Sequence, residues 1–182
     1  MVEDTQEIEV VNLTNHKVGY NLVDENLHRS LQPNEHRRIL AGELRRLNYQ
    51  KGGHILLTNY LSVKNAELAR EFGVDIDNQI EYNWTPEDVD RVLQTGTIEE
   101  LMDAMDFAPE GIKQRLAARA VELKISDSNK RKVITDNSPY DIDAQIKNVE
   151  AATADEEPVE TKPKQRRSSG TRASNERRVQ KD

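Results

Sequence analysis

The chain of 182 residues has no cysteine, one tryptophan and two phenylalanines. Without cysteine it can form no disulfide, offers no thiolate nucleophile and cannot build a cysteine-ligated zinc or iron–sulfur centre. That predicts a reducing, intracellular setting. The first seven residues, MVEDTQE, are acidic and lack the basic flank and apolar stretch of a signal peptide. No run reaches the roughly 18 apolar residues a membrane helix needs, so neither export by a standard signal nor membrane spanning is predicted. Hydrophobic residues make up only 35% of the chain against 32% charged. One real core is therefore possible only if the apolar residues are concentrated in part of the sequence.

Charge is distributed unevenly. Residues 161–182 carry eight basic side chains (Lys162, Lys164, Arg166, Arg167, Arg172, Arg177, Arg178 and Lys181) against Glu176 and Asp182, a net +6. Asp155, Glu156, Glu157 and Glu160 precede them, and the total of −7 leaves −9 for residues 1–150. An acidic body thus carries a basic end. From residue 150 onward the only sizeable apolar groups are Val159 and Val179, with no aromatic among them. Such a stretch cannot offset its ordering entropy alone, so 150–182 is expected to be a disordered charged tail.

The body reads as α+β: a small N-terminal antiparallel sheet packed with a C-terminal cluster of short helices. Residues 1–81 form the β-rich half and 82–149 the helical half of one domain. Glu7–Leu13 approximates strand alternation, Thr14–Lys17 favours a turn, and Val18–Val23 is predicted to return as the partner strand. Leu27–Leu31 and His36–Leu40 follow on either side of a Gln32–Glu35 turn. Glu43–Tyr49 suits a short helix stopped by Gly52-Gly53, and His54–Leu61 reads as a buried strand or extended segment. Asn65–Phe72 suits a helix closed by Gly73, and Ile80, Tyr82 and Trp84 alternate as on a strand, with Trp84 expected at the hinge between halves.

Helix signals then strengthen. Thr85 is an N-cap followed by Pro86 at the first helical position, and Gly96 stops the helix. Thr97 and Glu100 have capping-box spacing, Pro109 resets the chain, and Ile112, Leu116, Ala120 and Leu123 share one face. Asp127 or Ser128 caps a further turn, and Ser138–Asp141 opens a last amphipathic piece bearing Ile142 and Ile146. There is no internal repeat and no sustained heptad.

No motif for chemistry emerges, and no cofactor or metal is expected. His16, His28, His36 and His54 lack the spacing by which one element presents two ligands to a metal. Asp103 with Asp106, and Glu99 with Glu100, are carboxylate pairs, but acidic residues in first turns are what helix dipoles favour. Gly52-Gly53 has neither the Lys-Ser/Thr of a phosphate loop nor a dinucleotide spacing. Ser168-Ser169-Gly170 has no histidine partner near it and reads as a spacer. The eight basic residues of the tail are the candidate polyanion contact, since Lys and Arg bind phosphates by releasing counterions and need no fold to do so. Without an aromatic side chain the tail cannot stack on bases.

The stretches Tyr82-Asn83-Trp84-Thr85-Pro86-Glu87-Asp88-Val89, Leu101 to Ile112 (LMDAMDFAPEGI) and Lys130-Arg131-Lys132 resemble an uncharacterised family of tailed-bacteriophage proteins. The resemblance spans about residues 8 to 148 and implies a phage gene product, a small virion component near the head or head–tail junction. It carries over no functional residues. Three functions follow in order. The first is a non-enzymatic phage structural or assembly protein whose partners are other phage proteins, in the virion or the host cytoplasm. The second is a phage nucleic-acid-binding or regulatory protein using the basic tail, with Gly111–Leu123, bearing Lys113, Arg115 and Arg119, as the candidate recognition helix. An enzyme ranks third.

Overall fold

The computed structural model describes residues 1–22 and 26–155. The fold is α+β, with antiparallel sheets at the N-terminal end and helices after them. Strands β1 (Glu7–Asn12), β2 (Val18–Leu22), β3 (Leu27–Leu31) and β4 (His36–Leu40) lead into α1 (Ala41–Tyr49). These five elements lie close to the segments expected from alternation and turn chemistry, but the pairing differs. β2 does not return along β1. It pairs with β3, while β1 is the centre of a second sheet in the order β4-β1-β5, with β5 at Leu61–Val63. Ile8, Val10 and Leu13 are all buried on β1 and just beyond it, and a strand enclosed on both sides serves as the hub of its sheet.

Two sequence expectations fail in the middle of the chain. His54–Leu61 is not a buried strand. Gly53–Ile55 forms a helical turn, α2, and Leu56–Tyr60 a π-helical turn, so only Leu61–Val63 is extended. A short apolar run is ambiguous by periodicity, and the glycine pair decides this one. Gly52 has φ +84°, and a Cβ on Gly53 would lie 1.7 Å from the Leu47 carbonyl oxygen, so the chain wraps tightly back over α1 and enters a helical turn. Within that turn Leu57 is buried while Ile55 is 55% exposed.

The second failure is the strand expected at Ile80, Tyr82 and Trp84. After α3 (Ala66–Glu71), Asp75 caps a helix α4 (Ile76–Glu81) by accepting from the backbone N–H groups of Asp77 and Asn78, and that cap overrides the alternation. Tyr82 and Trp84 follow α4 in the linker to α5 (Pro86–Gln94), ring against ring at 5.6 Å. Trp84 is half-buried, its ring packs on the helical core, and its carbonyl accepts from Arg115 where the two halves meet.

The remaining helices are α6 (Ile98–Phe107), α7 (Glu110–Glu122), α8 (Ser128–Asp136) and α9 (Ile142–Asp155). α9 passes the expected boundary at 149, so residues 150–155 are helical, and Ala151, Ala152 and Ala154 supply strong helix formers there. The rest of the expected disordered tail, with all eight of its basic residues, lies outside the described residues. The capping expectations divide. Thr85 and Asp88 make the reciprocal box, whereas Thr97 accepts from the Glu100 N–H but Glu100 does not return the bond, because its carboxylate pairs with Arg91 at 2.7 Å.

Apolar side chains form two clusters. One joins the sheets to α1, the π-turn and α3. The other gathers α5 to α9 around α7. Leu13, at the end of β1, belongs to the second cluster and crosses the boundary between them. Gly111 permits that approach, since a Cβ there would meet the Leu13 Cβ at 3.0 Å and the Asn59 carbonyl oxygen at 3.1 Å.

Candidate interaction surfaces

Where the two halves meet, polar groups replace apolar ones. Asn12 is fully buried at the end of β1, and its amide donates to the carbonyls of His16 (2.8 Å), Leu31 (3.1 Å) and Gln32 (3.0 Å). Its side-chain oxygen accepts from the N–H and hydroxyl of Thr14, both at 2.9 Å. One side chain thus fixes the turn after β1 and the end of β3, and burying an amide is tolerated because its bonding capacity is filled. Arg115 arrives from α7 to complete the joint, donating to the carbonyls of Asn12 (3.2 Å), Thr14 (3.4 Å) and Trp84 (3.2 Å). Among the described residues no carboxylate forms an ion pair with it, and burial lowers its pKa to about 10, which leaves the guanidinium charged at neutral pH. Carbonyl dipoles take the place of a counter-ion.

Two cavities flank this joint, sharing Asn15 and Ala118 on their walls. One, of about 330 Å³, is bounded by Asn34, Val89, Asp90, Arg115 and Arg119, and the other, of about 290 Å³, by His16, Gln114, Tyr140 and Gln145. The charges in the first are internally matched: Arg119 grips Asp90 through two bonds of 2.6 and 2.8 Å and reaches Glu122 at 2.9 Å. These contacts also remove α7 as a recognition helix. Arg115 is buried in the joint, Arg119 is held by two carboxylates, and Lys113 donates to the Asp106 carbonyl, so the basic residues expected to face phosphate are engaged elsewhere.

The outer face of α6 is different. Glu99, Met102, Asp103 and Asp106 follow the i, i+3, i+4, i+7 spacing of a helix stripe and are all exposed, as is Phe107 beside them. Met102 is 47% and Phe107 64% exposed. Glu99, Asp103 and Asp106 have no ion-pair partner among the described residues, although like charges at these spacings repel. α4 borders the face: Asn78 donates to the Phe107 carbonyl at 2.6 Å and the Tyr82 hydroxyl to Asp103 at 2.6 Å. Burial raises the Tyr82 pKa first, then its bond to Asp103, then the negative field of Asp103, Glu81 and Asp106. Three carboxylates and two large apolar side chains therefore share one face of α6.

Sequence reasoning singled out Asp103 and Asp106 only as a carboxylate pair and did not connect them with Met102 and Phe107. The signal was present in the helical spacing of the five residues. Each histidine ring bonds one side chain, His36 to Glu9 at 2.8 Å, His54 to Asn48 at 3.0 Å, His16 to Asn15 at 3.3 Å and His28 to Asn21. Among the described residues no three acidic or histidine side chains are placed to share a metal ion. Of the Lys130-Arg131-Lys132 run, Lys130 is buried and donates to the Val92 and Leu93 carbonyls at the end of α5, and Arg131 pairs with Asp143 at 2.5 Å. Those two are structural.

Comparison with protein-family models, with curated proteins and with solved structures gave no match. Among the described residues no helix is long and apolar enough to cross a membrane.

Proposed function

We propose that this chain is a non-enzymatic bacteriophage structural or assembly protein that acts through protein–protein contacts, in the virion or the host cytoplasm. The observation that carries the protein-contact reading is the α6 face, where Met102 and Phe107 stand exposed among carboxylates that have no ion-pair partner among the described residues. Large exposed apolar groups rimmed by charge are what a partner covers: the centre supplies the hydrophobic gain and the rim supplies orientation and selectivity. The phage assignment, and with it a place at the head or head–tail junction, is supported by the resemblance carried by residues 82–89, 101–112 and 130–132. Mass spectrometry of purified particles is the test, run on wild type and on Phe107→Glu. Stoichiometric presence lost in the variant supports the reading, and absence of the wild-type chain from particles removes the virion role.

A second reading is favoured by the charge of residues 161–182. A net +6 is suited to phosphate contact, which would make the chain a nucleic-acid-binding phage protein working through its C-terminal end. Retention on DNA that falls steeply with salt supports it.

A further inference from the structure

The acidic, apolar face of α6 and the basic C-terminal segment are complementary parts of one sequence. We propose that the α6 face takes the chain's own segment 162–181 as a ligand. This rests on the reading of that face as a contact surface and names what fills it.

Three observations carry it. Glu99, Asp103 and Asp106 lie on one stripe, and none of these three carboxylates has an ion-pair partner among the described residues. Lys162, Lys164, Arg166, Arg167, Arg172, Arg177, Arg178 and Lys181 bring eight positive charges against one negative, Glu176, within the same span. The apolar part also matches. The segment has no aromatic side chain, yet Lys and Arg carry long hydrocarbon stems that lie along apolar surface, and a guanidinium stacks favourably on an aromatic face such as Phe107. A charged partner without large apolar groups can therefore still cover Met102 and Phe107.

Geometry permits the contact. α9 (Ile142–Asp155) packs on α8, and α8 packs on α6, so the segment follows an element two helices away from its proposed seat. Lys162 is seven residues past Asp155, a reach of up to about 25 Å when extended, and every later residue adds about 3.3 Å. The flanks of the face do not compete, because Lys113 is bound to the Asp106 carbonyl and Arg91 to Glu100.

The occupied face would be withheld from other partners until the basic segment is displaced, by a more acidic surface or by nucleic acid that captures the segment. Assembly would then begin with an exchange of partners for this arm.

The absence of native cysteine makes the test direct. A spin label is attached to the full chain through Ser169→Cys, and amide signals are recorded as ionic strength rises from about 0.02 M to about 0.5 M, where screening between exposed charges is strong. The expected result is loss of amide intensity across Glu99–Phe107 at low salt, recovery at high salt, and recovery at low salt in Glu99→Gln/Asp106→Asn, which leaves the Tyr82–Asp103 bond intact. Intensity loss spread evenly over the body, loss unchanged in that double variant, or no loss at α6 while the segment's own signals shift on adding duplex DNA would each overturn the proposal. The two readings fail separately. A chain that needs Phe107 for particle incorporation but shows no loss at α6 keeps the proposed function and refutes this occupant. A clear salt-dependent loss at α6 in a chain absent from particles does the reverse.

Discussion

Arg115 binds the main chain of Asn12 from more than a hundred residues away, its guanidinium 3.2 Å from the Asn12 carbonyl oxygen and within reach of those of Thr14 and Trp84. Asn12 in turn uses its side chain to hold the carbonyls of His16, Leu31 and Gln32. Two polar side chains in series therefore join the sheets to the helices. Arg115→Met is expected to destabilise the fold by at least about 3 kcal/mol, because hydrogen bonds from a charged donor contribute roughly 1.5 to 3 kcal/mol each and three buried carbonyls lose theirs. Urea denaturation measures it. A loss below about 0.5 kcal/mol, the range of ordinary surface substitutions, would show that the carbonyls find other donors.

Gly53→Ala tests the close approach of α2 to α1. The added Cβ would sit 1.7 Å from the Leu47 carbonyl oxygen, and both sides of that contact are backbone, so the turn has to move. We expect a loss at the upper end of the overpacking range of about 1 to 3 kcal/mol, or failure to fold. Gly52→Ala, at φ +84° but with nothing within 4 Å, is expected to lose less, about 1 kcal/mol, from backbone conformation alone. Thermal midpoints in the opposite order would contradict the packing account.

Glu43 provides a pH-dependent test. It is buried on α1 and receives Arg29 through two bonds of 3.0 Å and the Tyr20 hydroxyl, tying the β2–β3 hairpin to the helix. Burial raises its pKa, but the bonds from Arg29 and Tyr20 outweigh burial and hold the carboxyl below its ordinary value. A group depressed in the folded state contributes stability above its unfolded pKa and loses it as pH falls through the folded one. Stability is therefore expected to decline below the usual carboxylate range, and Glu43→Gln to flatten that part of the curve. At neutral pH the variant is expected to cost about 3 kcal/mol, the low end for a broken buried pair, since Arg29 remains one-third exposed. An unchanged acid limb in the variant would assign the decline to other carboxylates.

The caps give a graded comparison. The Thr85 hydroxyl accepts from the Asp88 N–H and donates to the Asp88 carboxylate, which also accepts the Thr85 N–H, while the Thr97 side chain only accepts. Thr85→Ala is expected to cost toward the top of the usual range of about 0.5 to 2 kcal/mol and Thr97→Ala toward the bottom. Equal losses would mean that the bond from the Thr85 hydroxyl to the Asp88 carboxylate adds nothing.

Local chemistry was legible in the sequence where one residue decides the outcome nearby. Thr85, Pro86, Thr97 and Asn65 begin their helices where their side chains suggest, and β3 and β4 match their turn-bounded runs. The failures share a different origin. Whether Val18–Leu22 pairs with β1 or β3, and whether His54–Leu61 extends or coils, depends on contacts with residues far along the chain, and alternation is silent about those. Asn12 and Arg115 were hidden for the same reason, one read as a strand residue and the other as a basic residue of a candidate recognition helix. The α6 surface was the reverse case, open to view in the spacing of Glu99 to Phe107 but overlooked because each carboxylate had a sufficient explanation as a first-turn or surface residue.

The joint made by Arg115 also sets a schedule for the chain during synthesis. Its acceptors at Asn12 and Thr14 lie 103 and 101 residues earlier. At a translation rate of roughly 5 to 20 residues per second, the acceptors wait on the order of 5 to 20 seconds for their donor to be made. Within that interval β4 and then β5 are made and complete the sheet around β1, while Leu13 still waits for the helices that enclose it. A newborn chain therefore has to keep its most polar junction hydrated until α7 arrives to replace the water.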